Sequence, residues 1–247
     1  MIDTILLVIC IGFAGFVSGL TGFAFALIAS GTLITIRTPV ESASLVLICS
    51  IISQAIAIVR LKIRPPWRTA LVMIIPGLVG SPIGVYLLHD LDPDFIKISI
   101  GVFLISYSMF LACLDPSFYL KIEGFWADGA IGFLGGVLGG IGGLSGALPT
   151  AWSLIRDWDP RTKRAIYQSF ALVMQIWSLV ILSIYEGLPS SLMNDLFISI
   201  PILLLGVLLG LFMFARINQG LFRTVIIAFL GALGLTTTVL ALPAFGH

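Results

Sequence analysis

Gly12-Phe13-Ala14-Gly15-Phe16-Val17-Ser18-Gly19-Leu20-Thr21-Gly22 recurs 120 residues later as Gly132-Phe133-Leu134-Gly135-Gly136-Val137-Leu138-Gly139-Gly140-Ile141-Gly142. Six of the eleven positions are identical, four of them glycine. Read outward, the match stays collinear with small loop shifts. Gln54 falls opposite Gln175, Ile75-Pro76 opposite Ile200-Pro201, Gly80 and Gly84 opposite Gly206 and Gly210, and Phe103-Leu104 opposite Phe229-Leu230. Isolated glycine matches come easily in a chain with 26 glycines, but a collinear series does not. The pattern is that of a tandem duplication over 1–115 and 125–247, the two repeats making one domain.

Both copies are strongly apolar. Of 247 residues, 59% are hydrophobic and 10% charged, where soluble domains carry about a quarter charged. The apolar residues lie in eight runs: Thr4–Thr35, Ser42–Val59, Thr69–Leu88, Phe95–Leu114, Gly129–Ile155, Ala165–Tyr185, Leu196–Ala215 and Leu221–Leu242. Each is about 18 residues or longer, which is bilayer-spanning length, and Asp and Glu occur only at their edges. Backbone polar groups in lipid must pair within the segment, and the alternation of a barrel strand is missing, so the expected fold is an all-α integral membrane protein. Met1-Ile2-Asp3 lacks the basic flank of a cleaved signal. Cys10, Cys49 and Cys113 sit inside apolar runs without paired spacing and read as small core residues, not as a disulfide or metal set. A net charge of +1 gives no electrostatic case for nucleic acid.

Charge also bears on topology. If all eight runs cross once, Arg60, Lys62, Arg64, Arg68 and Lys121 face eight basic residues on the other side, which fits the positive-inside rule poorly. If the first run of each copy dips in and returns, only Arg37 and Lys97 stand against the other eleven. Asp3, Glu41, Asp90, Asp92, Asp94, Glu186 and Asp195 then lie on the minority side. Length agrees: a straight helix over Thr4–Thr35 is about 48 Å long against a hydrocarbon core of about 30 Å. Two arms of about 14 residues meeting at Gly19–Gly22 each reach the midplane at that rise. The expected architecture is therefore inverted repeats, each a Gly-rich broken, re-entrant hairpin plus three spanning helices. Eight plain, tilted spans remain the alternative.

The glycine clusters have two readings. One is close helix packing of the GxxxG kind. The other is a broken helix whose second arm presents its N–H groups and positive dipole end to a buried anion. Two breaks at equivalent places are the pattern of inverted-repeat transporters. Arg164, Gln168 and Gln175 share one helix face at i, i+4 and i+11, and polar groups at such depth usually face a cavity or a partner. Arg164 is also placed to snorkel beside Arg161 and Lys163. Leu47 stands where the first copy would match Gln168, so the site is asymmetric. The expected substrate-binding set is Thr21, Gly22, Gly142, Gly143, Ser145, Arg164, Gln168 and Gln175.

Gly143-Leu144-Ser145-Gly146 also matches the GxSG of rhomboid intramembrane proteases. That chemistry needs a histidine base within the membrane. The histidines are His89, at a span edge, and His247, the last residue. Ser145 therefore reads as a packing or ligand-facing hydroxyl, and the chain as no enzyme. No metal-ligand cluster and no cofactor motif is present in the sequence.

The stretch Gly139-Gly140-Ile141-Gly142-Gly143-Leu144-Ser145-Gly146-Ala147-Leu148-Pro149-Thr150, followed by Trp152, Arg156-Asp157-Trp158 and Arg164-Ala165-Ile166-Tyr167-Gln168-Ser169-Phe170, resembles the TauE/SafE family of membrane permeases. The resemblance runs over nearly the whole chain. The first copy, Gly19-Leu20-Thr21-Gly22-Phe23-Ala24-Phe25-Ala26, departs from the family's run of glycines. The resemblance implies a multi-pass protein of the bacterial cytoplasmic membrane. Its implied partner is a small inorganic or organosulfur anion such as sulfite, a sulfonate or sulfoacetate, with export as the expected direction. Two other readings stay open: an uncoupled anion channel or facilitator, and a membrane scaffold or assembly protein without a transported ligand. Flux against a gradient separates transporter from channel. Broken helices weigh against a scaffold, because they need a cavity to justify their exposed backbone.

Overall fold

The computed structural model describes residues 2–115, 118, 124–214 and 219–242. Lys121, Arg216 and His247 fall outside these residues. The described chain is helical throughout: α1 (Ile2–Thr21), α2 (Ala24–Leu33), α3 (Pro39–Arg60), α4 (Trp67–Asp90), α5 (Pro93–Cys113), α6 (Phe125–Gly142), α7 (Ala147–Leu154), α8 (Pro160–Tyr185), α9 (Leu192–Met213) and α10 (Gln219–Ala241). Eight of them are long and apolar enough to cross a membrane; α2 and α7 are the short ones. This is an all-α, multi-pass membrane architecture.

Local chemistry explains where the elements start and stop. Thr38 and Glu41 form a reciprocal capping box at α3, with Pro39 at the first helical position. Asp92 and Asp159 cap α5 and α8 without the reciprocal arm, each side chain accepting two backbone N–H groups and each followed by a proline. The Thr162 contact first, then the Thr162 and Arg161 N–H groups, hold the Asp159 carboxyl below its usual range. Gly143 ends α6 with φ at +72°, the left-handed conformation glycine adopts without strain.

The first apolar run of each copy is broken and folds back. Thr32 of α2 meets the Cys10 thiol of α1, so α2 runs back along α1. In the second copy the Trp152 indole donates to Asp128 at 2.7 Å, and Ser145 packs on Gly139. Asp3 lines the same end-of-bundle cavity as Arg37, Thr38 and Glu41, so the first hairpin returns to the end it left. The arms differ from the expected pair of about 14 residues. They have 20 and 10 residues in the first hairpin, and 18 and 8 in the second. The breaks fall at Gly22–Phe23 and Gly143–Gly146, because only there does the backbone leave the right-handed region or lose its helical run. The outgoing arms are thus long enough to cross, and the tips lie well past mid-depth.

Glycine faces weld the first five helices to the last five. Cβ atoms added at Gly80, Gly84, Gly132, Gly136 or Gly140 would come within 2.0–2.4 Å of backbone oxygen on the opposing helix, which fixes α4 against α6 in parallel. Gly19, Gly206 and Gly210 do the same for α1 and α9. Gly101 and Gly234 let α5 and α10 approach closely as well, but in antiparallel, with a Cβ on Gly234 2.7 Å from Gly101 O and Ser108 donating to Ile227 O. The GxxxG reading is therefore correct for these glycines. Following the chain through these pairings, the two hairpins point in opposite directions along the bundle. Cys10 and Cys49 are core residues as expected; Cys113 is not, being exposed in the last turn of α5.

Candidate anion site at the first hairpin

The tip of the first hairpin is held by three donors on adjacent turns of α8, Arg164 on one turn and Tyr167 and Gln168 on the next. Thr21 donates its hydroxyl to Val17 O at 2.9 Å and accepts the Phe23 and Ala24 N–H groups at 3.3 and 3.2 Å. Gly22, with φ at +83°, donates its N–H to Ser18 O at 2.6 Å. That conformation and the lack of a side chain leave room for Gln168: a Cβ on Gly22 would stand 2.5 Å from Gln168 Nε2. Gln168 Nε2 donates to Gly22 O at 3.2 Å and the Tyr167 hydroxyl to Thr21 O at 2.8 Å. Arg164 reaches toward Gly19 O with Nη2 at 3.4 Å, a long contact, while its guanidinium carbon lies 5.0 Å from the Phe214 ring centre.

These partners leave polar capacity unused in a buried place. Arg164 Nε, Gln168 Oε1 and Gln175 Oε1 have no hydrogen-bond partner, nor has Gln54 Oε1 on α3. Gln54, Gln168 and Gln175 are all buried. Ser18 and Ser53 bond each other at 2.8 Å beside them. Arg164 connects this interior to the outside. It lines a cavity of about 710 Å³ at one end of the bundle, together with Lys62, Arg64 and Arg161.

The expected residues therefore separate into two groups. Thr21, Gly22, Arg164 and Gln168 are brought together. Gly142 and Gly143 are not part of that cluster: they pack against Ile100, Val46 and Leu47, an apolar counterpart of the first tip. Ser145 is fully buried with an unpartnered hydroxyl near Gly139, and Gln175 lies two turns further along α8. Two N–H groups at the start of α2 are occupied by the Thr21 hydroxyl, so the first hairpin offers fewer backbone donors than a bare helix N-terminus. Tyr167 was missed by the polarity argument because tyrosine reads as ordinary core. Its i+3 spacing from Arg164, toward the same tip, is the signal that could have found it. His89 pairs with Glu186 at the far end of α4, so no described histidine serves Ser145 as a base.

A family model described as Sulfite exporter TauE/SafE matches residues 7–237. No curated protein matches the chain, and no solved structure does.

Proposed function

Because the chain belongs to the sulfite exporter TauE/SafE family, a family of membrane transporters for sulfur oxyanions, we propose that its substrate travels along the buried polar face of α8. The carrying observation is Arg164, which has an unpartnered Nε beside Gln168 and also lines the basic cavity. A sulfite, sulfonate or sulfoacetate anion entering that cavity meets Lys62, Arg64 and Arg161 first. It then passes Arg164 to reach the amides of Gln168 and Gln175. Ser145 and the uncapped start of α7 continue the path toward the second tip, past Gly142 and Gly143. Charge favours the basic end as cytoplasmic, since nine described basic residues gather there and only Arg37 and Lys97 sit at the other. The direction is then export across the bacterial inner membrane. The two five-helix units, over 1–115 and 125–247, act as inverted repeats of one transport domain.

A site made of one guanidinium and several amides desolvates its ligand only in part. Affinity is therefore expected between micromolar and millimolar, about −8 to −4 kcal/mol. The test is sulfite efflux from proteoliposomes. Arg164→Gln is expected to abolish efflux with helical content and elution profile retained, and Arg164→Lys to keep part of it. Unchanged efflux by Arg164→Gln removes the proposed path. An uncoupled facilitator is the second reading, favoured by the lack of carboxylates at either hairpin tip among the described residues.

A further inference from the structure

Arg156 carries the most anomalous charge in the molecule. It follows α7, is 8% exposed, and its guanidinium makes no hydrogen bond or ion pair with any described residue; Nη1 is buried without a partner. Its guanidinium carbon instead lies 5.5 Å from the Trp152 ring centre and 5.0 Å from that of Trp158. The nearby carboxylate does not serve as counter-ion, because Asp128 accepts the Trp152 indole N–H at 2.7 Å and forms no ion pair with Arg156. The corresponding arginine after α2 is treated differently. Arg37 binds both oxygens of Asp195, at 3.0 and 3.2 Å. A buried cation without a partner is strongly unfavourable, and cation–π contact offsets only part of that.

We propose that Arg156 is the core of an oxyanion site, separate from the α8 path, that takes the phosphate of an anionic lipid headgroup. Its depth supports a lipid. Four of the five tryptophans cluster at this end: Trp152 and Trp158 flank Arg156, and Trp67 and Trp126 begin α4 and α6 at 54% and 85% exposure. Large exposed indoles at helix starts mark the headgroup level of a bilayer. Trp152 and Trp158 also pack on Ala70, Met73, Ile74 and Phe170, which joins the site to α4 and α8. The guanidinium fork matches a phosphate or sulfonate equally well, so the oxyanion has two candidate sources: the headgroup and a free ion. The site makes no use of Arg164 or Gln168, so its fate is independent of the transport reading.

The experiment is thermal unfolding of the whole protein, with tryptophan emission as the probe. It uses nanodiscs of phosphatidylcholine alone or with phosphatidylglycerol, and neutral detergent with added sulfate or phosphate. Phosphatidylglycerol is expected to raise the unfolding temperature of wild type by several degrees. Arg156→Gln should lose most of that rise, Arg156→Lys should keep part, and Lys62→Gln should keep nearly all. An Arg156-dependent rise with sulfate or phosphate, and none with the lipid, overturns the headgroup assignment and leaves a free-anion site. Equal rises in wild type and Arg156→Gln, or equal losses in Arg156→Gln and Lys62→Gln, overturn the site altogether. Should Arg156→Gln fail to fold, the comparison of wild type with Arg156→Lys decides, an unaltered response being the negative result.

Discussion

Gln168 is the residue on which the asymmetry of the two tips turns. Its amide donates to Gly22 O, whereas Gly143 at the opposite tip meets Val46 and Leu47. Leu47 thus shows that a leucine is sterically acceptable opposite such a tip. Gln168→Leu is accordingly expected to fold, losing roughly 1–2 kcal/mol for the unpaired Gly22 carbonyl. Sulfite efflux should fall at least tenfold; efflux equal to wild type, measured in proteoliposomes, removes Gln168 from the path. Gly22→Ala has a different signature. It forces a side chain into the left-handed region and against Gln168 Nε2, so stability and transport should fall together, stability by about 1–3 kcal/mol. Arg164, Gln168 and Gln175 were legible in the sequence because polar residues in an apolar run announce themselves. Tyr167 and the apolar lining of the second tip were not, because aromatic and aliphatic residues look alike whether they face a ligand or a neighbour.

At the scale of elements, small residues do more than polar ones. The parallel contact of α4 with α6 has no room for a methyl group at Gly136, where a Cβ would lie 2.1 Å from Gly77 O. Two turns earlier, a Cβ on Gly129 would meet nothing closer than 3.6 Å. Gly136→Ala should therefore lower the thermal unfolding midpoint clearly, by the equivalent of about 1–3 kcal/mol, while Gly129→Ala leaves it within error. Equal midpoints for the two variants would mean that the helices separate freely to admit the methyl. The helix breaks were legible from the same glycines, but the arm lengths were not. Periodicity cannot distinguish Gly19 packing on α9 from Gly22 turning the chain; only the neighbouring helix decides which glycine is a contact and which a corner. The capping box at Thr38 and the Asp159 N-cap bound their helices from local sequence alone, which is why α3 and α8 begin within a few residues of their apolar runs.

For the whole molecule, both hairpins return to the end from which they start, and the basic residues follow that arrangement. Lys62 and Arg161 line one cavity and therefore share one side. Single cysteines at these two positions, in a background without the native three, should both resist an impermeant thiol reagent applied outside; labelling of one alone would require a different topology. Energetics follow from the same placement. The buried carboxylates among the described residues are Asp128 and Asp195, both in first turns, paired with Trp152 and Arg37. Neither lies at a hairpin tip, and Arg164, Gln168 and Gln175 cannot deliver a proton near neutral pH. An anion on this path moves as a net negative charge, worth about 2.3 kcal/mol per 100 mV. On the proposed path, a cytoplasm negative inside is therefore expected to drive it outward without a coupled proton. Proteoliposomes loaded with sulfite or a short sulfonate are expected to empty faster under an interior-negative potassium diffusion potential, with no pH difference across the membrane. The acceleration should vanish when the potential is collapsed, and should not be replaced by an imposed pH gradient alone. Efflux that ignores the potential and requires the pH gradient would place a titratable group on the path and overturn the uncoupled reading.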